Sequence, residues 1–188
     1  TTQPASVSPC LNASASFTVA TASTTGLTYQ WQDSTSTHTW QNISGANLIS
    51  YSISTVTSGL NGNKYRVIIT SICGVSTSSG ALLTISSGPV ITAQPQSIST
   101  CPGASVVFSV TTTSTGVTYQ WKSKAPTAAI FSNISGATSA SYTIASADTS
   151  LNNYQYQVVI TSSCGATTST NATLTIKQAA DCGSVEPG

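Results

Sequence analysis

Five cysteines are the residues of this chain whose type and spacing promise chemistry: Cys10, Cys73, Cys101, Cys164 and Cys182. Cys10 to Cys73 spans 63 residues, and Cys101 to Cys164 spans 63 as well (73 − 10 and 164 − 101). Thiols at a repeated spacing predict disulfides, and therefore an exported chain. The simplest pairing joins Cys10 to Cys73 and Cys101 to Cys164 and leaves Cys182 free. Other chemistry has little to work with. His38 is the only histidine, and the four acids Asp33, Asp148, Asp181 and Glu186 are scattered. No triad, carboxylate pair or metal cage can be assembled from them, so neither enzyme activity nor a cofactor nor a metal site is expected. His38 reads as a solvated loop residue.

Two aromatics are candidates for ligand contact. Trp40 and its counterpart Phe131 sit beside hydroxyl-rich strands, where a ring on a sheet face can stack on a sugar. The competing reading has each cover the core edge beside Ile43 or Ile134. Asn12, Asn42, Asn133 and Asn171 open Asn-X-Ser/Thr triplets, which arise easily in a chain of which roughly a third is Ser and Thr.

The elements that must position these residues are written twice. Gln3-Pro4, Cys10, Phe17, Tyr29-Gln30-Trp31, Asn42-Ile43-Ser44-Gly45-Ala46, Leu60-Asn61, Tyr65, Cys73-Gly74 and Leu83-Thr84-Ile85 return in order. Their counterparts are Gln94-Pro95, Cys101, Phe108, Tyr119-Gln120-Trp121, Asn133-Ile134-Ser135-Gly136-Ala137, Leu151-Asn152, Tyr156, Cys164-Gly165 and Leu174-Thr175-Ile176. Duplication favours a spacer or adhesive unit over a catalyst, because a rod gains from every copy and an active site does not. Within each copy apolar residues alternate, as in Ala15/Phe17/Val19 and Tyr65/Val67/Ile69, and turn signals separate the runs. About seven short strands per copy are predicted, with no helical stripe of ten residues or more. The fold class expected is all-β, with domains over residues 1–87 and 88–178 and a tail or linker over 179–188.

Charged residues form 5% of the chain and its formal net charge is +1. No basic stripe awaits phosphates, so nucleic acid is not an expected partner. No apolar run is long enough to insert directly into a membrane. A surface so near neutrality is poorly guarded against self-association. The opening Thr1-Thr2-Gln3-Pro4 reads as a cut from a longer secreted protein.

Tyr-Gln-Trp in a third strand, Asn-Ile-Ser-Gly-Ala, a Leu-Asn turn, a Tyr ahead of a core position and a Cys-Gly hairpin together resemble a known family. They are similar to the immunoglobulin-like repeats of large secreted or cell-surface bacterial proteins, of the kind abundant in Bacteroidetes. The resemblance implies two immunoglobulin-like β-sandwich domains in tandem, with Trp31 and Trp121 as core tryptophans and Tyr65 and Tyr156 at the tyrosine corner. The usual inter-sheet cysteines are absent, and Val19 opposite Val67 and Val110 opposite Val158 take their place. Asp33-Ser34-Thr35 resembles the O-glycosylation acceptor sites of Bacteroidetes, which makes Ser34 a candidate.

In that topology Cys10 and Cys73 lie at opposite ends of a domain, too far apart for the Cα separation of about 7 Å that a disulfide tolerates. A second pairing scheme therefore competes with the first. It joins Cys10 to Cys164 across the two domains and Cys101 to Cys182, and leaves Cys73 for a preceding repeat. The linker Ser86-Ser87-Gly88-Pro89 is short, Val90 and Ile91 read as strand, and a stiff pair follows. The functional expectation is a non-catalytic structural or adhesive segment acting as stalk, spacer or fibre-building repeat, extracellular or at the cell surface. Its expected partners are neighbouring repeats, a second copy of itself, or glycans. The rival expectations are a carbohydrate-binding accessory module of a secreted polysaccharide-degrading enzyme and a virion decoration domain.

Overall fold

The computed structural model describes residues 2–22, 25–35 and 39–182. The chain divides into two compact units, Thr1–Ser87 and Gly88–Gly188.

In the first unit, β1 (Ala15–Thr18) pairs antiparallel with β4 (Ser50–Ile53) to form one layer. The facing layer runs β3 (Trp40–Asn42), β2 (Thr28–Ser34), β5 (Lys64–Ser71) and β6 (Gly74–Thr77), with β7 (Ala81–Leu82) continuing beside β5. The second unit repeats this plan. Its β10 (Val106–Ser109) pairs with β14 (Ser141–Ile144), against a layer of β13 (Ser132–Asn133), β12 (Thr118–Lys124), β15 (Gln155–Ser162), β16 (Gly165–Thr168) and β17 (Ala172–Ile176). It also has β8 (Ile91–Ala93) paired with β11 (Thr111–Thr112), and β9 (Ile98–Thr100) parallel to β17. The first unit reduces those pairings to single bridges, Thr2 to Ala20, Val7 to Leu83 and Cys10 to Ser86. Among the described residues the first copy therefore has seven strands and the second ten.

The period-two pattern is what closes the core. In β5, Tyr65, Val67 and Ile69 point inward, and in β15 Tyr156, Val158 and Ile160 do the same. Trp31 and Trp121 are fully buried, and Val19 and Val110 lie in the same clusters as Val67 and Val158. Phe17 stacks on Tyr65 with ring centroids 4.6 Å apart, and Phe108 on Tyr156 at 4.7 Å. Two two-layered antiparallel sandwiches, each around one indole, are the immunoglobulin-like architecture that the motifs imply.

The first strand of each copy changes sheets at the Gln-Pro pair. Residues before it pair with the second strand, and residues after it run parallel to the last strand. Pro4 and Pro95 are buried at the crossover, where a residue without an N–H costs no ladder bond. The adjoining Gln3 Oε1 accepts from the Ser79 N–H at 2.7 Å, and Gln94 Oε1 from Thr170 at 2.9 Å.

The tail or linker over 179–188 is structured in its described part. Ala179–Asp181 forms a 3-10 turn, and Cys182 is bonded to Cys101. The linker also differs from its sequence reading: Val90 is exposed, whereas Pro89 is the buried residue. Val90 contributes through its backbone, its N–H donating to Ser114 Oγ and its carbonyl accepting from Thr112 Oγ1.

Candidate functional site

The repeated Tyr-Gln-Trp and Asn-Ile-Ser-Gly-Ala segments are two halves of one structural device. Trp31 N–H donates to Ala46 O and Ile43 N–H to Trp31 O, while the indole Nε1 donates to Leu48 O at 3.0 Å. Gln30 Nε2 donates to both Trp31 O and Ile43 O at 2.9 Å. Every one of these bonds recurs around Trp121 and Gln120, with Ala137, Ile134 and Ser139 as the partners. These motifs therefore satisfy polar groups beside the core.

The cysteines occupy the two ends of each sandwich. Cys10 bridges Ser86 at the trailing end of the last strand, where Leu11 N–H also donates to Ser86 O at 3.0 Å. Cys73 sits at the tip of the two-residue turn between β5 and β6, at the leading end. The Ser71 hydroxyl shapes that turn, accepting from Cys73 N–H and donating to Gly74 O, and Ser162 does the same for Cys164. The thirteen residues from Gly74 to Ser86 run the length of the sandwich, on the order of 30 Å or more at strand rise.

Pairing within each domain is thereby overturned. Cys101 is bonded to Cys182, with Cα atoms 5.5 Å apart, so it is not available to Cys164, and Cys182 is not free. Cys73 is a free, exposed thiol and so does not join Cys10. The reason is the end-to-end separation just described, far beyond disulfide reach.

Trp40 and Phe131 are each covered by a cation. The Arg66 guanidinium lies over the Trp40 ring at 4.2 Å, and Lys124 Nζ lies over Phe131 at 5.3 Å. The two cations come from different strands, because the counterpart of Arg66 is Gln157. Arg66 is itself fixed, its Nε donating to Gln32 Oε1 at 2.8 Å, and the Trp40 ring edge lies against Gly80, where an added Cβ would stand 3.0 Å away. A cation held over the ring occupies one of the two faces on which a sugar would stack.

Ser34 is 4% exposed, and its hydroxyl donates to Thr35 O, so in the folded chain it offers no acceptor for a glycan. Asn12, Asn42, Asn133 and Asn171 are all exposed. Asp148 caps the 3-10 turn Thr149–Leu151. Its carboxylate accepts from Ser150 N–H at 2.8 Å, which holds it below the usual carboxylate range. Asp33 and Asp181 stand in different units, and His38 and Glu186 lie outside the described residues. Among the described residues, no three His, Cys, Asp or Glu side chains gather as a metal site.

Fold and site together define a pair of immunoglobulin-like β-sandwiches whose cysteines serve their ends rather than their cores. The chain belongs to the family described as Domain of unknown function (DUF8696), whose model matches twice, over residues 2–87 and 91–178. None of the curated proteins matches it. Among solved structures it is similar to the I-band fragment I67-I69 from titin, at TM-score 0.63 and 14% identity over 94% of this chain and 64% of the fragment. It is also similar to DIP-gamma IG1+IG2, at TM-score 0.58 and 10% identity, covering 95% of this chain and 96% of that one. A third similar structure is Drosophila OTK, extracellular domains 3-5, at TM-score 0.53 and 17% identity over 94% and 60%. The chain thus spans less than two thirds of the titin and OTK fragments, and at these identities the likeness is one of fold.

Proposed function

We propose that this chain is a non-catalytic structural or adhesive segment of an extracellular or cell-surface bacterial protein, in which repeats are tied in series by disulfides at their ends. The observation that carries the reading is the placement of the cysteines. Cys10 lies beside Ser86 where the first sandwich ends. Cys164 lies beside Gly88 where the second begins, since a Cβ on Gly88 would stand 3.3 Å from the Cys164 carbonyl. Ser86 and Gly88 are two residues apart, so chain continuity supports a Cys10 to Cys164 bond as the tie between repeats. A tie of this kind adds nothing to a ligand site. It limits what the junction can do, as a stalk or fibre requires.

The covered faces of Trp40 and Phe131 support the same reading over a sugar-binding accessory module. Both are tested on the oxidised chain. A non-reducing digest is expected to yield a peptide joining Cys10 to Cys164, and a glycan array is expected to show no saturable binding. An unlinked Cys10 peptide, or binding that a folded Trp40→Ala variant loses, would overturn the proposal.

A further inference from the structure

The leading end of the first sandwich carries an open hollow of about 430 Å³, walled by Thr21, Leu27, Ile69, Val75 and Ser76 and bordered by Cys73. Val75 is 66% exposed there, and Ile72 at the hairpin tip is wholly exposed. The same place in the second sandwich is filled. Gly88–Ile91 run through it: Pro89 is buried, and its carbonyl accepts from Thr167 Oγ1 at 2.6 Å. The Val90 carbonyl accepts from Thr112 Oγ1 at 2.7 Å, and Ile91, like Val117, packs against the core. Thr112, Val117 and Thr167 are the counterparts of Thr21, Leu27 and Ser76.

We propose that the hollow and Cys73 form a docking seat for the trailing end of another repeat of this same kind. The seated segment would have the Gly-Pro-apolar-apolar character of residues 88–91, and that repeat's counterpart of Cys10 would bond to Cys73. Two independent observations meet here: a groove whose duplicate is occupied by such a segment, and a free thiol on its rim. The bond forms by oxidation. Each thiol gives up its proton, and two electrons pass to a small-molecule disulfide such as oxidised glutathione, which leaves as two thiols. The inference rests on the end-tie reading above, extended from the junction between the two units to a further repeat.

The test is a chain in which a second copy of residues 1–91 precedes Thr1. In the added copy Cys73 is replaced (Cys73→Ser) and Ser8→Ala marks the peptide that holds Cys10. Six cysteines then remain in the whole chain. After refolding in a glutathione buffer, thiol titration is expected to read zero, and the marked Cys10 peptide is expected on Cys73. Two free thiols, at Cys73 and the marked Cys10, would overturn the docking seat while leaving a Cys10 to Cys164 bond intact. Loss of the Cys10 to Cys164 peptide would instead defeat the end-tie reading itself. Replacing Pro89-Val90-Ile91 of the added copy by Ser-Gly-Ser is expected to slow closure of the Cys73 bond severalfold. Unchanged closure would remove the hollow from the proposal.

Discussion

Gln30 and Gln120 each hold two main-chain carbonyls with one amide nitrogen, and the neighbouring indoles hold a third. An apolar residue of similar size would remove two bonds at about 0.5–1.5 kcal/mol each, while the carbonyls keep their backbone donors, Ile43 and Ala46 N–H in one copy and Ile134 and Ala137 N–H in the other. This explains why glutamine precedes tryptophan in both copies. Tyr156 shows how burial tunes a residue that takes no part in chemistry. It is 2% exposed, and burial first, then Tyr142 and Tyr154, push its phenol up to about 12. The unfolded phenol titrates near its ordinary value of about 10. Between those values the folded form keeps a proton that the unfolded form has lost, so stability is full below about pH 10 and declines as pH rises toward 12. Tyr156→Phe keeps the ring against Phe108 and is expected to flatten that decline, measured as urea midpoints at pH 9 and pH 11. An unchanged slope would place the titrating group elsewhere.

At the scale of the element, the turn after Asn-Ile-Ser depends on backbone handedness. Gly45 and Gly136 both adopt φ 73°, and no atom lies within 4 Å of where a Cβ would stand. The cost of a side chain is therefore conformational alone. Gly136→Ala is expected to lose about 1–2 kcal/mol in chemical denaturation, whereas Gly59→Ala, at a glycine without positive φ and with equally open space, should be near neutral. Equal losses at both would refute the role of handedness. Alternation made the inward faces of β5 and β15 legible, and repetition made the duplicated β plan legible. The partners of each motif were not legible, because they are distant in sequence. Gln3 meets Ser79, and Asn61 Oδ1 accepts from Ile85 N–H, each across the fold. Tyr51 and Tyr142 lie in tilted contact with Trp31 and Trp121 although their segments carry mostly hydroxyls, so period alone marks them weakly. The cations over Trp40 and Phe131 come from unmatched positions, which no comparison of the two copies reveals.

For the whole molecule, the consequential feature is the bond from Cys101 to Cys182, which encloses a separation of 81 residues. It ties the turn after β9 to the segment that follows β17. A pull applied to the chain beyond Cys182 enters the second sandwich at Cys101 and bypasses nearly every strand between them. Stretching can peel away only β8 and β9, while the rest of the sandwich stays outside the path of the force. Single-molecule extension of an oxidised Cys10→Ser variant, held at Ser87 and beyond Cys182 so that only this bond lies in the path, should therefore lack the lengthening that a freely unravelling domain releases. After reduction, roughly 290 Å of additional contour should appear, at about 3.6 Å per residue. If both states lengthen alike, that shielding is absent. If they differ as described, this half of the chain behaves under tension as a nearly inextensible link, whatever its thermodynamic stability.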